Sequence, residues 1–361
     1  MSINGWPGGV IRKTPITPDG AYYDSAASGV WSLADAASYM RQGLWPIVSN
    51  LRATAYWAGG LLGPAATVRT NVIQYVSIAS LGNTSDWGDL TAAREQTAGC
   101  ASSTRGIIAG GFPEPSGFKL SSIEYITIST SGSSSSFGNL HSGTAYLAGL
   151  SNSTRGVFGG GMTEIDSGTT NVMNYITIAS AGNSADFGDL SSKRYSPMAC
   201  ASTTRGLFGG GATVIGGDQY GVSAIQYITI ATTGNALTFG DLSLYRNSGS
   251  GLSSSTRGVF LGGDSGNSVD EVSDMVAGSR IDYVTIASTG NATFFGSLTT
   301  TQNKSAASCS ETRGLTSMKG ADPVNVINYI TIASTGNALD FGDLINSPIS
   351  PAGFSNGHGG L

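Results

Sequence analysis

The chain of 361 residues is poor in charge, histidine and cysteine. Charged residues make up 11 % of it, against roughly 25 % in a typical soluble domain. Its two histidines, His141 and His358, stand at a strand end and near the C-terminus. They offer no pair at ligand spacing, and a copper or zinc centre needs several such ligands converging. No metal and no cofactor is expected. The three cysteines, Cys100, Cys200 and Cys309, cannot form a fully paired framework within one chain. No lysine/arginine cluster accompanies the net charge of −5, which argues against nucleic-acid binding. No apolar run approaches the roughly eighteen residues of a membrane span, so membrane insertion is not expected. The opening "MSINGWPGGVIRKTPITPDG" lacks the apolar stretch of a signal peptide, so a soluble protein made without a Sec-type signal is expected.

Glycine is abundant at 53 residues, and hydrophobic residues at 40 % suffice for a sizeable core. β-Branched and aromatic residues recur at regular places, which argues against disorder. The recurrence is a repeat. "YVSIASLGNTSDWGDL" (75–90), "YITISTSGSSSSFGNL" (125–140) and "YITIASAGNSADFGDL" (175–190) are three copies. "YITIATTGNALTFGDL" (227–242), "YVTIASTGNATFFGSL" (283–298) and "YITIASTGNALDFGDL" (329–344) are three more. Their tyrosines are spaced by 50, 50, 52, 56 and 46 residues, the size of a four-stranded propeller blade.

Each period reads as four strands, for example "PMACASTT" (197–204), "RGLFGGG" (205–211), "IQYITIATT" (225–233) and "ALTFGDL" (236–242). In the third strand Ile176 and Ile178 lie on one face and Tyr175 and Ala179 on the other, as in a sheet sandwiched between neighbours. The Gly-Asn pairs at 82–83, 182–183, 234–235, 290–291 and 336–337 suit hairpin turns. The ends of the chain complete the count. "TAYWAGG" (54–60) is a second strand with no first strand before it, and "SPAGFSNGH" (350–358) is a first strand with no second after it. Together they make one composite blade, closing an all-β six-bladed propeller over residues 47–361.

The spacing resembles the kelch family. Gly110–Gly111, Tyr125 and Phe137 follow its pattern in one blade, and Gly210–Gly211, Tyr227, Phe239 and Arg246 in another. Phe stands where kelch blades usually carry Trp, except at Trp87, and "SMKG" (317–320) is a degraded glycine pair.

Cys100 and Cys200 fall at equivalent positions two blades apart, too far for a disulfide, and Cys309 is offset by one residue and should face the other way. Buried free thiols are expected. Arg105, Arg155, Arg205, Arg257 and Arg313 recur in the "TRG" turns. Such recurrence marks a structural role, since a catalytic site breaks symmetry. The expected role is hydrogen bonding between turns, with Asp89, Asp189, Asp241 and Asp343 as candidate partners. First strands rich in Ala, Ser, Gly and Cys predict a narrow axis without reactive chemistry.

Residues 1–46 lie outside the repeat. "GVWSLADAASYMRQGLWP" (29–46) predicts a short arm helix with Ser32 as N-cap, Asp35 three residues on, Gly43 at its end and Pro46 beyond. Its stripe of Leu33, Ala36, Ala37 and Met40 must dock on something. The candidate docking residues are Trp31, Leu33, Met40, Leu44 and Trp45. This segment resembles a tryptophan-bracketed motif near the termini of tailed-phage virion proteins, and the repeats resemble those of marine-phage structural proteins. The resemblance implies a virion component, tail-associated or fibre-like, with residues 1–46 contacting other virion proteins and an oligomeric arrangement in the particle. The alternatives are a head-surface decoration protein and a carbohydrate-active propeller enzyme.

Symmetry breaks in the loops between second and third strands, which emerge on one face while the near-constant "SSTRG" and "TGN" turns lie on the other. Variable loops on a rigid ring are where binding usually resides. The candidates are Phe112, Asp218, Tyr220, Asp270, Glu271 and Asp274, facing a host-surface glycan or protein. Asp264, Asp270, Glu271 and Asp274 lack EF-hand spacing, so a solvated acidic loop is the plainer reading.

Overall fold

The computed structural model describes residues 32, 35, 38 and 39, then 53–62, 68–115, 117–164, 168–265, 276–317 and 325–361. The chain divides into two units, Met1–Arg52 and Ala53–Leu361. In the first, Asp35, Ser38 and Tyr39 are helical. The Asp35 N–H donates to Ser32 Oγ at 3.1 Å, and Ser32 Oγ donates to Asp35 Oδ2 at 2.6 Å. The remainder of the expected helix, with Trp31, Leu33, Met40, Leu44 and Trp45, lies outside the described residues.

The second unit is an all-β, six-bladed propeller. Blade 1 is composite: its inner strand Ala352–Ser355 pairs with Thr54–Ala58, followed by Val72–Ser77 and Ser85–Asp89. The register joins Ala55 to Ser355 and Ala58 to Ala352, antiparallel. Blade 2 begins at Ala98–Ala101, blade 3 at Ala148–Ser151, blade 4 at Met198–Ala201, blade 5 at Ser250–Ser253 and blade 6 at Ala307–Cys309. Each continues through three further strands to the outer rim.

Burial follows the repeat. Ile73, Ile123, Met173, Ile225, Ile281 and Ile327 of the third strands are fully buried. In blades 2 to 6 the repeat tyrosine meets the aromatic of the outer strand edge to face, as in Tyr125–Phe137 at 6.1 Å and Tyr283–Phe295 at 5.9 Å. Such pairs add about 0.5–1.5 kcal/mol beyond the area they bury. One detail of the third strand differs from expectation. The strand Val172–Thr177 ends before Ile178, and Ala179 is exposed, because the chain has already entered the turn.

The inner strands show why the axis is written in small residues. A Cβ at Gly99, Gly149, Gly251 or Gly353 would stand 2.4–2.7 Å from a backbone carbonyl oxygen of the preceding blade. Only glycine admits that approach, and the approach narrows the channel. Two residues further along the same strands, side chains are hydrogen-bonded across blades: Ser151 Oγ donates to the Ala101 carbonyl at 2.8 Å, and Ser253 Oγ to the Ala201 carbonyl at 2.7 Å.

Candidate functional site: the axial channel and the loop face

The axis is a cavity of about 60 Å³ lined by the inner strands and by His358. All three cysteines face into the protein as buried free thiols. Burial pushes Cys100 and Cys309 up to about 12 and Cys200 higher still, so none is a nucleophile at neutral pH. Among the described residues, no group of three metal-ligating side chains comes together.

At the constant-turn end the channel is crossed by the segment "NGHGGL" (356–361). His358 Nε2 lies 2.9 Å from the Ala101 carbonyl of blade 2 and 3.3 Å from Ser151 Oγ of blade 3. The Gly359 N–H reaches the Ser253 carbonyl of blade 5 at 3.0 Å, across the ring. Gly360 N–H donates to His358 Nδ1 at 3.1 Å, so the proton sits on Nε2 and the imidazole is neutral. Burial lowers its pKa. A Cβ on Gly359 or Gly360 would stand 2.0 Å from blade backbone, which explains the glycines flanking this histidine. The sequence places His358 near the C-terminus; the flanking glycines were the only sign that it plugs the axis.

The recurrent arginines do not pair with Asp89, Asp189, Asp241 or Asp343. Each instead reaches the next blade. Arg105 Nη1 donates to the carbonyls of Ile178 and Ala179 at 3.1 and 2.9 Å, and Arg205 Nη1 to those of Ile286 and Ala287 at 2.9 and 3.0 Å. Arg155, Arg257 and Arg313 do the same to Ile230, Ile332 and Ile78. Every guanidinium also stacks on its own blade's tyrosine, Arg257 over Tyr283 at 4.3 Å for example. The accepting carbonyls lie just past the end of the neighbouring third strand, as Ile178 and Ala179 do after Val172–Thr177. The asparagines of the Gly-Asn turns make the companion contact. Asn235 Oδ1 accepts the Asp189 N–H at 2.9 Å, and Asn183, Asn291, Asn337 and Asn83 act alike.

A further layer had no sequence signal strong enough to find. At the bulge in each third strand stands a polar residue, Gln74, Glu124, Asn174, Gln226, Asp282 or Asn328. Most of them accept the backbone N–H just past the preceding blade's outer strand, as Glu124 does from Thr91 at 3.0 Å. Two are carboxylates and pair with fully buried arginines: Glu124 with Arg94, and Asp282 with Arg246 at 2.7 Å. Arg194 is equally buried, and the bulge residue of its blade, equivalent to Glu124 and Asp282, is the neutral Gln226. Arg194 donates to the Gly210 and Ala224 carbonyls, and desolvation lowers it to about 10.

At the loop-face mouth of the channel, Gln96, Tyr146, Ser196, Ser248, Lys304 and Ser350 all have positive φ, between 48° and 60°. Each N–H donates to the carbonyl of its counterpart in the preceding blade, from Gln96 to Ser350 at 3.0 Å round to Ser350 to Lys304 at 2.8 Å. The result is a closed ring of six head-to-tail backbone hydrogen bonds. The left-handed conformation costs each non-glycine residue about 1 kcal/mol or more, and the ring bonds hold it there.

Beside this mouth runs an aromatic row. Phe112 meets Tyr146 at 5.6 Å, and Tyr146 meets Tyr195 at 5.9 Å, both edge to face. Lys119 Nζ lies 5.7 Å from the Phe112 ring. Burial and the nearby Glu95 carboxylate raise Tyr146; Glu95 itself is held by Arg69 at 2.6 Å. Of the expected loop-face residues, Phe112 therefore joins the row. Asp218 and Tyr220 sit on the hairpin Ala212–Ile215/Asp218–Gly221, Asp218 exposed and Tyr220 half-buried. Gln219 between them touches the row, accepting from Tyr195 Oη at 2.6 Å. Asp270, Glu271 and Asp274 lie outside the described residues. Tyr146, the centre of the row, and Tyr195, at its end, were missed because they fall in the connections between blades, not in the variable loops.

No family model matches the chain, and no curated protein matches it.

Proposed function

We propose that the chain is a non-enzymatic virion component of a tailed phage, tail-associated or fibre-like. Its kelch-like propeller serves as a rigid platform, and residues 1–46 dock to other proteins of the particle. The loop face meets a host-surface glycan or a partner protein. The particle assignment rests on the resemblance of residues 29–46 and of the repeats to phage structural proteins. The binding role is supported by one observation above the others: the aromatic row Phe112–Tyr146–Tyr195 lies on the variable face beside the mouth. The recurrent arginines and the buried carboxylates, by contrast, are engaged in holding blades together. Aromatic side chains offer large contact area at low entropic cost, which suits a recognition surface.

Immunogold labelling of purified particles with an antibody to the propeller tests the assignment. Label on the tail or its fibres is the expected result. Label over the head replaces attachment with head decoration, and unlabelled particles overturn the virion reading.

A further inference from the structure

We propose that the seam between blades 2 and 3 is a receptor for one guanidinium group supplied from outside the chain, at the place where other seams bury an arginine. The site stands on the blade geometry and goes beyond the role proposed for the loop face.

One position past the outer strand recurs at a constant distance from the repeat tyrosine, from Tyr75 to Arg94, Tyr175 to Arg194 and Tyr227 to Arg246. All three arginines are buried, and each sends its guanidinium into the blade that follows. Arg194 Nη1 donates to the Gly210 and Ala224 carbonyls at 3.0 and 3.1 Å, and its Nη2 to Ser192 Oγ at 3.0 Å. Arg246 Nη1 donates to the Gly262 and Arg280 carbonyls at 3.0 and 2.8 Å, and its Nη2 to the bulge carboxylate of Asp282. Gln302 and Pro348 stand at two further seams, Gln302 fully buried and Pro348 against Gly60. Counted from Tyr125, the position is Thr144, whose short side chain turns back to the Ser142 carbonyl at 3.0 Å.

A cavity of about 100 Å³ lies beside Thr144, lined by Ser142, Gly160, Val172 and Asn174 and by the exposed His141. Four of these residues are the counterparts of the groups around Arg194: Ser142 of Ser192, Gly160 of Gly210, Val172 of Ala224 and Asn174 of Gln226. The backbones match as well. Gly160 and Gly210 have φ of 68° and 67°, and Gly159 faces Met173 as Gly209 faces Ile225, so the two glycine carbonyls point alike. Among the described residues the Gly160 carbonyl accepts no hydrogen bond. The Val172 carbonyl accepts the Gly160 N–H at 3.2 Å and keeps the second lone pair by which Ala224 takes Arg194. Asn174 Oδ1 accepts Ser184 Oγ at 3.2 Å and has room for another donor. Asn174 is also half-buried, while Gln74, Glu124, Gln226, Asp282 and Asn328 are all buried. The seam is left unfilled at that one bulge.

The ligand must donate, because the cavity presents carbonyl, amide and hydroxyl oxygens. It does not need a carboxylate, since oxygens of these kinds alone hold Arg194. A guanidinium offers a planar fork of N–H groups and sheds water more readily than an ammonium does. Waters satisfy such oxygens one at a time; a single planar cation bridges them, as it does in the three arginine seams.

The test is calorimetric titration of methylguanidinium chloride into the full-length protein, with methylammonium chloride as the charge-matched control. Saturable binding at about 1–10 mM is expected, with methylammonium weaker by about tenfold or more. Thr144→Arg supplies the group from within, so binding should be lost and the melting temperature should rise by about 2–4 °C. Asn174→Asp restores the carboxylate of the Glu124 and Asp282 positions and should tighten binding about tenfold, less so as salt is added. Melting curves identify any variant that fails to fold. Titration of the peptide acetyl-Gly-Arg-Gly-amide distinguishes two sources of the group. Binding as tight as that of methylguanidinium assigns the site to an arginine side chain of a partner protein, and weaker binding or exclusion assigns it to a free guanidinium compound. Absence of binding in the millimolar range, equal affinity for methylammonium, or affinity unchanged in either folded variant overturns the proposal. So does a crystal soaked in methylguanidinium that shows only waters on the Gly160 carbonyl. None of these results depends on where an antibody labels a particle.

Discussion

Five of the six seams between blades are built alike, and the seam between blades 1 and 2 is not. In the five, an arginine at the start of the second strand reaches the next blade's carbonyls while stacking on its own tyrosine. An asparagine in the facing turn accepts an N–H from the outer strand. At the sixth seam, Thr54 stands where the arginine would be and Ser133 where the asparagine would be. The composite blade substitutes aromatic packing. Tyr56 stacks on Phe354 at 5.2 Å and meets Trp87 edge to face at 5.1 Å within blade 1, and this cluster packs on Ala101, Ile108 and Ile126 of blade 2. Phe354 fills the space above Gly106 of blade 2. The buried Arg94–Glu124 pair lies at the same seam. Equivalent positions in one ring can thus be closed by directional polar contacts at the rim or by non-directional burial near the axis. The blade assembled from two distant chain segments uses the second means.

Removing the inner strand of that blade is the harshest way to break the comparison. Deletion of 350–361 removes the Ser350–Gln96 ring bond, Phe354 and the axial plug together. Loss of cooperative thermal unfolding is expected; a truncated chain that melts like the full-length one would refute closure by the two ends.

Charge at the buried arginines comes next. Glu124→Gln leaves Arg94 uncompensated and should cost about 3–5 kcal/mol in denaturant unfolding. The reverse change, Gln226→Glu, offers Arg194 the carboxylate that its counterparts possess and should gain about 1–2 kcal/mol. An equal loss in both variants would show that the Glu124 and Gln226 positions are not equivalent.

The gentlest change sharpens the comparison by making all seams alike. Ser133→Asn together with Thr54→Arg installs both rim contacts at the sixth seam. A gain of about 0.5–2 kcal/mol is expected from one charge-assisted bond set and one cation–π contact, discounted for exposure. No gain would mean that aromatic packing already fixes that seam's spacing.

The blades and their closure were legible in the sequence because the tyrosine, the phenylalanine and the glycines recur as identical letters. The bulge residues were not, because Gln74, Glu124, Asn174, Gln226, Asp282 and Asn328 share a hydrogen-bonding role and no single identity. The mouth is a sharper case. Its ring residues follow the repeat tyrosine at a constant distance, from Tyr75 to Gln96, Tyr125 to Tyr146 and Tyr329 to Ser350. Yet a glutamine, a tyrosine, a lysine and three serines present no common chemistry. Their shared property is a backbone angle imposed by the neighbouring blade, which composition cannot report. The arginine partners were misjudged for a related reason: a carboxylate nearby in sequence is visible, whereas a carbonyl one blade away is not.

The ring of six backbone bonds at the mouth also changes how the molecule carries load. A pull on one loop, as from a ligand tethered to a surface, cannot peel a single blade from its neighbour without stretching a bond that continues through all six. The stress runs around the circumference, as in a barrel hoop, and each seam bears only its share. A face built in this way holds its geometry under a sideways force that would open an unclosed sheet from its edge.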